Sequence, residues 1–325
     1  MRFSEVKGNE GVCRTLTRMV DSGKVPHAIM FHEDDGGGAM RIVLAFIQYL
    51  YCSSRSAEDS CGECRSCNKI AKLIHPDVHF VFPVGSGALS INYIRQWREL
   101  LCSNPDFRED EFQDAMGIVD KNSMIAVAES RALLEALSLS ALEGGYRTVL
   151  IYLPEKLNQE SANRLLKIIE EPPVLTQFLL VTHAPEKVLQ TISSRCQTFR
   201  VVPSRRSVAV SDEEFAALLD ALLAASAKKD LGAMLKAADE VGAIPSREGV
   251  KSFCKYAVEE LREIFLAQQG LENLGRNSEF RKYATLKKSF PRGAMAAFDR
   301  ASMLTERNVN QRMIWTDLAC TLYKL

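Results

Sequence analysis

Between Arg147 and Cys196 the hydrophobic pattern reads as strand, helix, strand, helix, and this restricts the fold more than any other feature of the 325 residues. Thr148 to Leu153 is a short, β-rich apolar run of the kind buried in a parallel sheet. Asn158 or Ser161 can cap a helix that runs through Glu171, buries Ala162, Leu165, Leu166, Ile168 and Ile169, and is stopped by Pro172-Pro173. Phe178 to Thr182 supplies a second apolar strand. Parallel strands need a crossover between them, and a helix of this length provides one, so the run predicts βαβ units and an α/β sheet covered on both faces.

The wording of this stretch is more specific than its pattern. SANRLLKIIEEPP, followed after an apolar strand by TISSRC, resembles the nucleotide-binding module of clamp-loader subunits in the AAA+ superfamily, the bacterial delta-prime group above all. Near the N-terminus, Phe3 and Gly8-Asn9 are similar to the family's FxxVxGQ opening, and Pro26 to Phe31 to its HAYLF-like first strand. Val6, Val12, Leu16, Met19 and Val20 fit an amphipathic helix between them. The resemblance implies an AAA+ type parallel sheet with flanking helices and a zinc knob, followed by an all-α helical collar domain.

A nucleotide-binding loop should follow the first strand. A working loop reads GxxxxGK[ST], with backbone N–H groups around the phosphates, lysine on the β and γ phosphates and a hydroxyl on Mg²⁺. Here the residues are Glu33-Asp34-Asp35-Gly36-Gly37-Gly38-Ala39-Met40. Gly36 and Gly38 keep the turn, but Ala39 replaces the lysine, Met40 replaces the hydroxyl, and three acidic side chains face the anion's place. Registering EKLNQESAN on the family's DEAEKLNxxAAN puts Tyr152 at the metal-coordinating aspartate and Leu153 at the catalytic glutamate. With both halves degenerate, no ATP is expected to bind. Thr182-His183 stands where related ATPases sense the γ phosphate; without the lysine, His183 reads as a strand-end cap.

Cys52, Cys61, Cys64 and Cys67 form a C-x8-C-x2-C-x2-C cluster. Four thiolates at this spacing complete a closed tetrahedral site, which is structural because it leaves no position open for substrate, and Zn²⁺ is the expected ion. The family carries the same spacing after its first helix. His75-Pro76-Asp77 resembles the family's HPD, and a turn leading into the next strand, Val78 to Phe82, needs only the Pro and Asp. His27 reads as a strand-edge residue. Ile91 to Leu101 predicts a helix with Ile91, Ile94, Trp97, Leu100 and Leu101 inward, and Glu129 to Leu142 another with Leu133, Leu134, Leu137 and Leu139 buried. Cys102 to Ile125 is acidic and reads as a solvated insertion with a short helix or turn.

The resemblance also gives Arg195 of Ser194-Arg195-Cys196 a role in trans: an arginine finger toward ATP held by a neighbouring subunit, against the alternative of a surface arginine in a salt bridge. These readings divide the chain into an AAA+-like domain over 1–203 with the cysteine module at 52–67, a linker or vestigial lid over 204–211, and a helical collar or oligomerisation domain over 212–325. A lid at Ser211 to Val241 with a reduced collar is the alternative assignment.

Lysine plus arginine equal aspartate plus glutamate at 41 each, so no global field draws the chain to nucleic acid or an anionic membrane. No apolar run is long enough to span a bilayer and the N-terminus lacks the form of a signal peptide, so the expectation is cytoplasmic, with no membrane partner. Nine cysteines in that compartment favour metal over disulfides. The implied partners are other clamp-loader subunits of the delta and gamma/tau type, with the sliding clamp and primer-template DNA reached through the complex. Two other functions stay open: an ATPase using an unconventional loop, and a zinc-dependent DNA-binding module.

Overall fold

The computed structural model describes the chain except at residues 34, 86, 119–122, 203–209, 245–246, 276–277 and 308. It divides into two compact units, Met1–Arg206 and Ser207–Leu325.

The first unit is built on β1 (Ala28–His32), β2 (Val78–Val81), β3 (Arg147–Tyr152), β4 (Thr176–Thr182) and β5 (Gln197–Arg200). Every pair is parallel and the order is β2-β3-β4-β1-β5. β1, β3 and β4 carry almost unbroken apolar sequence because both of their faces are buried. On one face Ile29, Phe31, Leu150, Tyr152, Leu179 and Val181 join a core with α1 (Glu10–Asp21), α2 (Ala39–Tyr51) and α4 (Ile94–Ser103). On the other, Ala28, Met30, Val149, Ile151, Phe178 and Leu180 pack under α6 (Val127–Ser138), α7 (Gln159–Glu170) and α8 (Gln190–Ser193). Asn158 caps α7, its side-chain oxygen accepting from the Ser161 N–H at 2.7 Å. α3 (Arg65–Ala71) follows the cysteine loop.

Three expectations are corrected. The segment after α4 is not a solvated insertion: its short helix α5 (Glu109–Met116) drives Phe107, Phe112 and Met116 into the main core, where Phe112 meets Trp97, Phe82 and Tyr152 edge to face. Its acidic residues concealed this: Asp106, Glu109 and Asp110 are used in ion pairs with Arg41, Lys156 and Arg108. Ile91 is 63% exposed rather than inward, because it sits in a 3₁₀ turn (Ser90–Tyr93) and α-helical periodicity starts only at Ile94. α6 stops at Ser138, where the buried Arg147 guanidinium takes the carbonyls of Leu137 and Leu139 at 2.6 and 2.5 Å, so Leu139 leaves the helix and is exposed; Leu134 also lies on its outer side.

The second unit is helical: α9 (Val210–Lys228), α10 (Leu231–Gly242), α11 (Arg247–Gln268), α12 (Phe290–Glu306) and α13 (Gln311–Lys324). Phe215, Leu219, Leu222 and Leu223 of α9 and Met234 and Val241 of α10 share one core with Phe253, Phe298 and Trp315. The linker expected over 204–211 lies, up to residue 209, outside the described residues.

Candidate functional site

The C-terminal ends of β1, β3 and β4 bring together the residues read as a nucleotide loop. Gly36 and Gly38 take positive φ, 74° and 91°, and the turn delivers the chain into the N-terminus of α2. A phosphate would sit on the free N–H groups there. Instead the buried carboxylate of Glu33 accepts from the Ala39 N–H at 2.6 Å, an internal anion on the helix's positive end.

The segment leading into α5 closes over the same turn. Asp106 grips Arg41 with a closest approach of 2.8 Å, Asp35 accepts from the Glu109 N–H at 2.9 Å, and Glu109 pairs with Lys156 at 2.9 Å. Arg108 packs so closely that a methyl group placed on Gly36 would meet its Cγ at 3.0 Å. Arg108 itself pairs with Asp110, whose carboxyl is pushed up to about 6 by burial, with the arginine opposing the shift. Ala39 and Met40 are buried in the main core.

Tyr152 and Leu153 are buried as well, Tyr152 among Trp97, Phe107 and Phe112, so aromatic packing takes the place of carboxylates at the end of β3. Leu153 sits at φ 54° and donates its N–H to the Val181 carbonyl at 2.8 Å. The nearby carboxylate is that of Glu155, which accepts from the Thr182 hydroxyl at 2.7 Å and the His183 N–H at 3.0 Å.

His183 lies between two acids: Nε2 is 3.6 Å from Glu33 and Nδ1 3.5 Å from Asp35. Burial alone lowers an imidazole's pKa, but Asp35 and Glu33, with Glu109 beyond, more than offset it and raise His183 to about 9. It is therefore an imidazolium balancing the acids of the filled cradle, a role beyond the strand-end cap read from sequence.

The four cysteines converge elsewhere, at the end of α2. Their sulfurs all lie within 4.8 Å of one another, and this donor set could hold a metal ion such as zinc. Cys64 caps α3, and Gly62 takes φ 77° to turn the knuckle. Backbone N–H groups point at sulfur: Cys61 to Cys52 at 3.2 Å, Cys64 to Cys61 at 3.3 Å and Cys67 to Cys64 at 3.5 Å. Burial raises the Cys64 thiol, but hydrogen bonds from Cys67 and Ser53 outweigh it and hold it down to about 6, while burial pushes Cys52 and Cys67 up. Asp59, within the loop, caps the chain's first turn by accepting from the Phe3 and Ser4 N–H groups at 3.0 and 2.9 Å.

His75 is architectural: Nδ1 accepts from the Asp77 N–H at 3.3 Å and Nε2 faces Glu143, while Asp77 accepts from Leu142 and Glu143. Arg195 follows α8, immediately before β5, at the edge of the sheet opposite the cradle. It lies in the turn before the first residue of β5, which pairs in parallel with β1, whereas the glycine turn follows the last residue of β1, so the two stand at opposite ends of these strands. It cannot serve its own chain's nucleotide loop. Its guanidinium pairs with Glu170 at 2.6 Å and donates to the Thr191 carbonyl at 2.9 Å. Among the described residues, no helix is long and apolar enough to cross a membrane.

The sequence reading missed Glu33 as a helix cap, the Asp106 to Glu109 cover, Glu155 and Glu170. Only Glu33 left a signal, as an acid at the mouth of a glycine turn.

Sheet order, helical layers and the glycine turn together define an AAA+ type module joined to a helical unit. The family described as "DNA polymerase III, delta subunit" matches residues 8–205, and the chain belongs to it. It is 30% identical over 184 residues to the DNA polymerase III subunit delta' of Yersinia pestis, covering 56% of this chain and 44% of that protein. The Escherichia coli K12 delta' subunit is 28% identical over 213 residues, 65% of this chain and 53% of that one. The Salmonella typhimurium subunit tau is 27% identical over 199 residues, 61% and 25% respectively. The chain thus spans about half the length of the delta' relatives it matches.

Proposed function

We propose that the chain is a non-hydrolysing subunit of the replicative clamp-loader complex, scaffolding the ring and supplying Arg195 to a neighbour's ATP while the sliding clamp is loaded on primed DNA. One observation supports this reading: the Glu33 carboxylate accepts from the Ala39 N–H at the start of α2, where a working loop would hold phosphate, while Arg195 precedes β5 at the opposite end of the strands. A protein built this way cannot stabilise phosphoryl transfer in cis and can do so in trans. There the planar guanidinium would spread charge from the transferring group's oxygens, a contribution of about 10³ to 10⁵ in rate for arginine fingers.

In this reading the partners are subunits of the delta and gamma/tau type, with clamp and primer-template DNA engaged through the complex in the cytoplasm. The cysteine module over 52–67 binds one structural Zn²⁺, the AAA+-like domain runs to 203, and the region from 212 forms the collar. The common core of α9 to α13 supports a collar over a separate lid at 211–241. Titration calorimetry of the isolated chain with Mg-ATP tests the first half of the proposal: silence is expected, and micromolar binding refutes it. Steady-state ATP hydrolysis by the reconstituted complex carrying Arg195→Ala tests the second, with a large loss expected.

A further inference from the structure

The Ser194-Arg195-Cys196 motif is tied to the fold residue by residue. The Ser194 hydroxyl donates to the Thr191 carbonyl at 3.3 Å, and Cys196 packs against the core of α6, α7 and α8, where burial pushes its thiol up to about 11. Arg195 lies between these anchors with two acceptors of its own, the Thr191 carbonyl and the carboxylate of Glu170, the last residue of α7.

We propose that Glu170 is a positioning residue for Arg195, holding one edge of the guanidinium so that its remaining N–H donors are available to a phosphate of the neighbouring subunit's nucleotide. This assignment rests on the trans role given to Arg195 above. A guanidinium carries five N–H donors in one plane. Thr191 takes one from Nη1 and Glu170 one from Nη2, which leaves three and fixes the plane before any nucleotide arrives. Both side chains are 39% exposed, so the pair is a weak one in water and does not lock the arginine against a multiply charged phosphate. α7 gives Glu170 a rigid support, and Pro172-Pro173 behind it prevents the helix from continuing.

The experiment is steady-state ATP hydrolysis by the full complex, reconstituted with its ATP-binding neighbours at saturating clamp and primed DNA. Size-exclusion chromatography confirms assembly of each variant. Glu170→Ala is expected to lower kcat by about fivefold, as befits loss of an exposed orienting pair, with KM for ATP unchanged. Glu170→Gln, whose amide oxygen can still accept from Nη2, should retain most of the rate. In an Arg195→Ala background Glu170→Ala should add no further loss, since the carboxylate then has nothing to orient.

Wild-type kcat in Glu170→Ala overturns the assignment. So does a raised kcat, which would make the carboxylate a competitor of the phosphate, and so does a further loss in the Arg195→Ala background, which would make it merely structural. Arg195→Ala at the wild-type rate would remove the trans role and this inference with it; a slow Arg195→Ala beside a wild-type Glu170→Ala removes this inference alone.

Discussion

Replacing Phe112 with alanine tests whether the acidic segment after α4 is part of the core. Phe112 is fully buried, with ring centroids 5.9 Å from Trp97, 5.9 Å from Phe82 and 5.2 Å from Tyr152, all edge to face, and 6.2 Å from Phe107. Truncation loses the transfer free energy of the ring and leaves a cavity, together about 3–5 kcal/mol. Three edge-to-face partners are lost at once, each worth about 0.5–1.5 kcal/mol, which places the expectation in the upper half of that range. Rigid neighbours strengthen the case: Trp97 is stacked on Phe82 at 4.5 Å and cannot collapse into the space.

The assay is urea unfolding followed by tryptophan fluorescence in a Trp315→Phe background, so that Trp97 alone reports. With m near 2–3 kcal/mol/M, a loss of about 4 kcal/mol moves the midpoint down by about 1–2 M at unchanged m. Ile91→Ala, at the exposed position, should stay within about 0.5 kcal/mol of its parent. A Phe112→Ala midpoint within about 0.3 M of its parent, at the same m, would mean that the segment contributes no more than a surface loop.

Four further outcomes follow from the sites. Ala39→Lys with Met40→Thr should still give no heat with Mg-ATP, because Glu33 and the Asp106 to Glu109 cover remain; micromolar binding by the double variant would show the cradle to be open. Stability should depend on pH through His183. Its folded pKa of about 9 lies above the ordinary 6.5, so its contribution is complete below about pH 6.5 and fades as pH rises through 9. Wild type should therefore lose about 3 kcal/mol relative to His183→Gln between pH 6 and 10, and a pH-independent difference would refute the ion contacts with Glu33 and Asp35. Elemental analysis should find about one zinc per chain, and chelation should speed hydrogen exchange at Phe3 and Ser4, whose N–H groups depend on Asp59 in the cysteine loop. Arg195→Lys in the assembled complex should be nearly as slow as Arg195→Ala, since a point charge does not reproduce the guanidinium fork; a rate near wild type would reduce the requirement to charge alone.

Much of the scaffold was legible because its signals are local. A strand buried on both faces must be apolar through its middle, and β1, β3 and β4 are, with polar residues confined to their ends. A helix stopped by Pro172-Pro173 can be read without knowing what it packs on. The cysteine spacing needs only the reach of two short turns, and the degeneracy of the nucleotide loop is a matter of which residues stand at Ala39, Met40, Tyr152 and Leu153. Periodicity failed where a helix ended for a reason outside itself. Leu139 continues the apolar pattern of α6, but Arg147, on the strand that follows, takes the last carbonyls and turns the chain away.

What only the tertiary structure decided is how charge was distributed among distant residues. The sequence by itself determined that Ala39 and Met40 stand where a working nucleotide loop has its lysine and hydroxyl, and that Tyr152 and Leu153 stand where the family has its two acids. It could not determine that Glu33 caps the helix meant for phosphate, that His183 arrives about 150 residues later to balance it, or that Asp106 and Glu109 cover the turn. Nor could it pair Arg195 with Glu170 across a strand and a short helix. An ion pair has no period along the chain; its partners are chosen by the fold, which buries certain charges and leaves them no stable state except beside an opposite one.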